Sequence, residues 1–193
     1  MIEIEKKLLL TKDEYDCLFS HFGKDKPIVR QINYYYDTEE LSMNRQNITC
    51  RIRLKDGKYQ GMIKRHSSNS DQSTETQIDV SKGLYDNIFV DMGLKLQGKL
   101  TTERCTILND TACDAVLDKN DYLGYTDYEL EIEYAPGYES YAVSTLKTIA
   151  DMLIHHNSSI NDIVQRTCNV KSKSKRFFEK INNKFNYDTS CHH

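Results

Sequence analysis

Along most of the extended segments of this chain, charged side chains recur at every second position, often with one sign in a row. Glu3, Glu5 and Lys7 alternate with Ile2, Ile4 and Leu8. Arg51 and Arg53 alternate with Ile52 and Leu54, and Lys64 follows Gln60 and Met62. Glu75, Gln77 and Asp79 form a polar row, as do Thr102, Arg104 and Thr106, and a further row ends at Asp118. Glu129, Glu131 and Glu133 alternate with Tyr128, Leu130 and Ile132. Side chains two apart on a strand share a face, so each row is one face of one strand.

An ordinary sheet with one wet face shows the same alternation. Two details argue for something else. Acids gather on the first and last strands, bases on the middle ones, and a solvent face gains nothing from stacked like charges. Such a row becomes tolerable when a cation neutralises it. The helical segments are amphipathic and need an apolar surface to cover. If they cover the apolar faces, the charged faces turn inward, into a closed barrel with a polar lumen.

Seven strands are read directly: 2–8, 49–54, 59–64, 75–80, 100–108, 113–117 and 127–134. Asp56-Gly57 is a hairpin turn, because glycine accepts positive φ. Thr11 and Glu14 form a capping box for a helix carrying Tyr15, Leu18, Phe19 and Phe22 and stopped by Gly23. A shorter helix is expected from Ser81 to Met92, a longer one over 141–154, and a last one over 172–185 with Phe177, Phe178 and Ile181 on one side. Residues 66–74 read as a polar loop. Mostly strands with helices between them predict an antiparallel α+β fold. With no Ser/Gly linker and no repeat, the 193 residues read as one domain.

The 26 Lys and Arg against 29 Asp and Glu give a net charge of −3, which argues against a general nucleic-acid binder. The six cysteines form no CxxC pair, which disfavours structural zinc or a dense disulfide framework. No apolar run approaches membrane-spanning length, and the opening MIEIEKKLLL lacks a signal-peptide layout. A cytoplasmic protein without nucleic-acid or membrane partners is expected.

The opening Glu3-Ile4-Glu5-Lys6-Lys7 resembles the ExExK signature of the CYTH family, the triphosphate tunnel metalloenzymes. Its companions follow in family order: Tyr35-Tyr36-Asp37-Thr38, Arg51-Ile52-Arg53, Lys64, Glu75, Arg104, Asp118, Asp127 to Glu131, and a closing basic segment, 172–177. The length and the run at 33–37 are most similar to the bacterial branch. The resemblance implies a closed eight-stranded antiparallel barrel, helices packed outside, with Mg²⁺ or Mn²⁺ and a small triphosphate in its lumen. Family members hydrolyse tripolyphosphate, thiamine triphosphate or RNA 5′-triphosphate ends, and some are class IV adenylyl cyclases.

A triphosphate needs cations and rigid donors, which Lys7, Arg51, Arg53, Lys64, Arg104 and Lys173 would supply, arginine being suited to bidentate contacts. Lys175 fits the spacing as well as Lys173, which is favoured. Glu3, Glu5, Glu75, Glu129 and Glu131 are the candidate metal ligands, since Mg²⁺ and Mn²⁺ prefer oxygen donors. Glu133 is either a lumen residue or a strand-end surface acid. Cys50 and Cys105 fall on the opposite faces. Asp118 and Lys7 are the candidate catalytic residues, Asp118 as a water-orienting group or, almost equally, a structural strand-end acid. Tyr36 is placed at the tunnel mouth. Hydrolysis of tripolyphosphate or another small triphosphate is the first reading. An adenylyl cyclase and a non-catalytic polyphosphate-binding module are the alternatives.

Overall fold

Asp56 and Gly57 adopt φ of 50° and 72°, the pair of positive values that a two-residue hairpin turn requires. They join β3 (Ile48–Lys55) to β4 (Lys58–His66). The remaining strands are β1 (Ile2–Leu10), β2 (Ile28–Asp37), β5 (Gln72–Ile78), β6 (Lys95–Asn109), β7 (Cys113–Tyr122) and β8 (Tyr125–Tyr134). In this computed structural model, which describes residues 2–67, 72–80, 83–155, 159–168 and 170–190, they close into an antiparallel barrel in the order β1-β5-β4-β3-β2-β6-β7-β8. Closure pairs β1 with β8, placing Lys7 opposite Glu131 and Glu5 opposite Glu133.

All seven strands read from alternation are present, several of them longer than the pattern shows. The eighth, β2, has its regular pattern hidden by three successive tyrosines. Polar and aromatic residues share its inner face, where Gln31, Asn33 and Tyr35 are buried, while on the outer face Ile32 and Tyr34 are half-buried and Tyr36 is buried. A strand buried on both sides loses the polar-apolar contrast that alternation depends on.

The outer faces are apolar and hold the helices. Leu8, Leu10, Leu117, Leu130 and Ile132 pack under Tyr15 and Leu18 of α1 (Lys12–Leu18), Ala142, Ile149 and Leu153 of α4 (Glu139–His155), and Ile163 of α5 (Ile160–Cys168). Burying each such side chain contributes about 1.5–3 kcal/mol, so this layer holds the charged faces inward. Thr11 and Glu14 form the expected reciprocal capping box on α1, and a π-helical turn, Phe19–Gly23, continues it to the expected glycine. A second outer layer joins Tyr36, Cys50 and Ile52 to Phe89 of α3 (Ile88–Asp91) and to Leu94.

α6 (Lys173–Ser190) differs from the others. Its Phe177, Phe178 and Ile181 pack on Tyr35, Leu100 and Tyr122, which are inward-facing residues, so the helix lies across one end of the barrel. Among the described residues no helix is long and apolar enough to cross a membrane.

Three expectations are corrected. The helix expected from Ser81 is the single turn of α3, capped by Asn87, whose Oδ1 accepts from Phe89 N; Ser81 itself lies outside the described residues. Tyr36 is fully buried on the outer face, its hydroxyl donating to the Leu84 carbonyl, and does not line a mouth. β4 and β5 run into the polar stretch at both its ends, to His66 and from Gln72, and residues 68–71 lie outside the described set. α5 and the short α2 (Ser42–Arg45) are not among the expected helices, although Ile160, Ile163 and Val164 of α5 stand at helical spacing.

Candidate active site

The barrel register decides which charges meet. On β1, Lys7 sits between two carboxylates, its Nζ 2.9 Å from Glu5 Oε1 and 3.1 Å from Glu131 Oε1. Lys64 of β4 lies 3.6 Å from Glu5 Oε1 and 3.5 Å from Glu75 Oε1. Arg51 of β3 reaches the same Glu75 oxygen at 3.5 Å. Arg104 of β6 forks onto Asp118, Nε to Oδ1 at 2.8 Å and Nη2 to Oδ2 at 2.6 Å, and also donates to Glu131 Oε2. Lys173, the first residue of α6, places its Nζ 2.9 Å from Asp118 Oδ2 and 2.8 Å from Glu131 Oε1, in contact with Glu129 Oε1 as well.

The stacked acids are thus relieved by interleaved lysines and arginines of the chain itself. Burial pulls the Glu131 carboxyl upward, but Lys7 and Arg104 outweigh it and hold the group well below the usual carboxylate range. Burial works against the Lys7 ammonium, and Glu131 and Glu5 overcome that, raising its pKa. Arg104 follows the same logic, with Asp118 and Glu131 outweighing burial. At Lys173, burial and then the neighbouring Arg104, Lys7 and Arg176 push the amine down against the pull of Asp118. Three carboxylates nonetheless lie within ion-pair distance of Nζ, one of them, Glu131, accepting a hydrogen bond from it, and their combined charge favours the ammonium.

Two arginines keep donors outside this pairing, Arg53 altogether and Arg51 at its Nε. Arg53 donates Nε to Asn33 Oδ1 at 2.9 Å, and no carboxylate among the described residues lies within ion-pair distance of it. Burial, then Arg51 and Arg104, push its guanidinium down to about 9. Arg51 keeps its Nε buried with no hydrogen-bond partner among the described residues. These donors line a cavity of about 210 Å³ together with Lys7, Lys64, Tyr35 and Met62. A second cavity of about 390 Å³ adjoins it, sharing Thr49, His66 and Ser174 and walled by Asn44, Asn47, Ser73 and Lys175.

Every expected cation therefore reaches the lumen. Lys173 is the lumen residue, whereas Lys175 is exposed on the wall of the outer cavity. Asp118 is fully buried with both oxygens held by Arg104 and Lys173. Of the two readings given for it, a water-orienting group or a structural acid, this geometry fits the second. Glu75 pairs with Lys64 and Arg51 and belongs to neither carboxylate group able to converge on a cation, namely Glu5 with Glu131 and Glu133, and Asp118 with Glu129 and Glu131. Glu133 joins the first group as a lumen residue. The side chain of Glu3 lies outside the described residues. Cys50 and Cys105 are buried in the outer layers, as expected.

Sequence reasoning missed Arg176. Its Nε donates to Asp127 Oδ2 at 2.9 Å and its Nη2 to Glu129 Oε2 at 2.7 Å. The signal was present, since Lys173 and Arg176 are three apart and share one face of α6. Asp127 also accepts from Asn120 Nδ2 and the Tyr122 hydroxyl, completing a polar layer above the aromatic end.

A closed antiparallel barrel, apolar outside and lined within by facing carboxylates and cations, defines the polar-tunnel class of α+β proteins. The chain belongs to the CYTH family: the CYTH domain matches residues 1–151. It is 31% identical over 153 residues to "Putative triphosphatase YjbK" of Bacillus subtilis (strain 168), covering 72% of this chain and 80% of that protein. Among solved structures it resembles a Bacillus halodurans protein described as a "putative adenylate cyclase", with a TM-score of 0.67 and 25% identity over 91% of this chain and 97% of that one. A Hippeastrum protein, described as having a dominant triphosphatase activity, shares the fold with a TM-score of 0.54 and 17% identity, over 77% of this chain and 87% of its own.

Proposed function

We propose that the chain is a metal-dependent cytoplasmic hydrolase of inorganic tripolyphosphate or another small triphosphate, bound in the barrel lumen. One observation carries this reading: Arg53 turns a buried guanidinium into the lumen with no carboxylate partner among the described residues, and beside it Arg51, whose Nη2 reaches Glu75, keeps its Nε buried without an acceptor. Buried cationic donors without acceptors favour an anionic ligand rich in oxygen acceptors. The name of the Bacillus subtilis relative supports the same activity.

Glu5, Glu131 and Glu133 present carboxylate oxygens within 4.8 Å of one another, and an all-oxygen donor set fits Mg²⁺ or Mn²⁺. Such an ion would supply charge neutralisation and activation of a nucleophilic water. The chain's own residues do the rest by positioning. Arg51 and Arg53 hold the outer phosphoryl oxygens, Lys64 and Lys7 neutralise their charge, and Asp118 keeps Arg104 aimed at the lumen. Phosphoryl transfer asks mainly for such placement and charge stabilisation, so no serine or cysteine nucleophile is needed.

The Bacillus halodurans neighbour gives a second reading, cyclisation of ATP. A cyclase must fix a base against apolar or aromatic walls. The adjoining cavity is walled by Asn44, Asn47, Thr49, Gln72 and Ser73, while the outward tyrosines of β2 are spent on the outer layer. That wall disfavours adenine recognition. A non-catalytic binding module is the third reading, and the converging carboxylates count against it, since acids in an anion site cost affinity without a bridging ion.

The test is phosphate release from tripolyphosphate, thiamine triphosphate, ATP and pyrophosphate with Mg²⁺ or Mn²⁺, alongside a cyclic AMP assay. We expect release from a triphosphate and no dominant cyclic AMP. Cyclic AMP as the main product would select the second reading, and neither product the third.

A further inference from the structure

We infer that Lys173 is the resident cation of the Asp118, Glu129 and Glu131 group and keeps a divalent ion out of it. The three carboxylates converge closely enough to hold a metal, but their oxygens are already allotted to the chain. Asp118 Oδ1 accepts from Arg104 Nε and Oδ2 from Arg104 Nη2, and Oδ2 also forms an ion pair with Lys173. Glu129 Oε1 faces the Lys173 ammonium as an ion pair without a hydrogen bond, and its Oε2 accepts from Arg176. Glu131 Oε1 meets Lys173 and Lys7, and its Oε2 accepts from Arg104. A hard divalent ion needs several of these lone pairs at once, and an ammonium in the centre of the group faces one oxygen on each residue.

The ammonium is also anchored. Lys173 opens α6, whose Ser174 accepts from the Thr49 hydroxyl at 2.8 Å, whose Arg176 is held by Asp127, and whose Phe177 and Phe178 are buried. Moving Nζ out of the group means drawing this end of the helix away from its partners or extending the side chain into the lumen. By contrast, Glu5 takes both its lysine contacts on the single oxygen Oε1, at 2.9 and 3.6 Å. A divalent ion is therefore confined to the Glu5 and Glu133 side, and the chain holds one ion where its acids taken alone would accommodate two.

This inference rests on the metal part of the proposed function, and the test separates the two. Mn²⁺ is titrated into the phosphate-free protein, with free Mn²⁺ followed by electron paramagnetic resonance. The parent and Lys173→Arg are expected to bind one ion. Lys173→Met is expected to bind two, and Lys173→Met with Glu129→Gln to return to one. Should removal of the ammonium unfold the metal-free variant, its melting temperature should rise with Mn²⁺ far more than the parent's does. Two ions on the parent, or one ion and a parental Mn²⁺-dependence of melting for Lys173→Met, overturn the inference alone. No ion on any of these proteins overturns the metal reading together with it.

Discussion

Arg104 grips Asp118 through two parallel hydrogen bonds, of 2.8 and 2.6 Å, across the β6–β7 pair in which the two residues stand directly opposite one another. The fork-to-fork contact fixes the guanidinium plane, and Asp118 is fully buried while Arg104 keeps a fifth of its side chain exposed to the lumen. On the proposed function the carboxylate is the anchor and the guanidinium the end that meets the triphosphate.

Asp118→Asn tests that division. The amide can accept one bond from Arg104 and presents an NH₂ to the other, so the guanidinium loses its fixed plane. We expect KM for the preferred triphosphate to rise about tenfold, one lost charge-assisted hydrogen bond being worth roughly 1.5–3 kcal/mol, with kcat changed much less. A kcat lowered by orders of magnitude at saturating substrate, in a folded variant, would return Asp118 to the water-orienting role.

Glu131→Gln is expected to destabilise the metal-free protein as well as abolish activity. Like-charge crowding along β8 predicts the opposite, but Glu131 is buried against Lys7, Arg104 and Lys173. Removing one partner from a buried ion pair is destabilising by about 3–5 kcal/mol, or roughly 6–20 °C in melting temperature at this chain length. The sign with pH follows from the depressed carboxyl. Glu131 contributes its stability above the unfolded value of about 4.3 and loses it as pH falls below that. Acid melting curves of the variant should therefore be flatter than the parent's below about pH 4.5, and parallel curves would contradict the ion-pair account.

Arg53 should trade stability for binding. Burial and the neighbouring Arg51 and Arg104 disfavour its charged form, so the unpaired guanidinium weakens the ligand-free fold. Arg53→Met removes the charge while keeping much of the volume. Its melting temperature without ligand should rise by about 2–8 °C, equivalent to roughly 1–2 kcal/mol, while triphosphate binding weakens by about 1.5–3 kcal/mol. Arg53→Lys should recover only part of that binding, because an ammonium makes no planar two-point contact. A variant less stable than the parent would show that Arg53 has a partner carboxylate in solution.

The inward rows were legible because the outer faces are uniformly apolar: Ile52 between Arg51 and Arg53, and Leu130 between Glu129 and Glu131, leave the period of two intact. β2 broke the pattern because Tyr35 is apolar and inward, packed on Phe177 at a ring distance of 4.8 Å. The pairing of charges was not legible at all. Register sets whether Glu131 meets a metal, a lysine or another acid, and register depends on barrel closure between β1 and β8, the first and last strands of the sheet. Nor could the Asp37 side chain be read from its Tyr-Tyr-Asp-Thr setting. It is fully buried and accepts from the backbone N–H groups of Thr38, Met43 and Asn44, folding the 38–47 segment so that Asn44 and Asn47 reach the outer cavity.

Phe177 joins the two halves of this architecture, the aromatic end of the barrel and the charged layer beneath it. Its ring contacts Tyr35 and Tyr122 and approaches Gly98, where an added Cβ would meet Phe177 Cζ at 3.0 Å. The absence of a side chain at Gly98 lets α6 come down far enough for Lys173 to reach Asp118 and Glu131. Phe177→Ala should lower stability by about 3–5 kcal/mol through lost burial and an unfilled cavity. It should also loosen the helix start, so KM for the preferred triphosphate rises as Lys173 and Arg176 lose their positions. Gly98→Ala acts on the same contact from the other side and is also strained by its φ of 149°. It should reproduce the KM change without touching any charged residue. A Gly98→Ala enzyme with parental KM and a parental melting temperature would show that the helix seats independently of this contact.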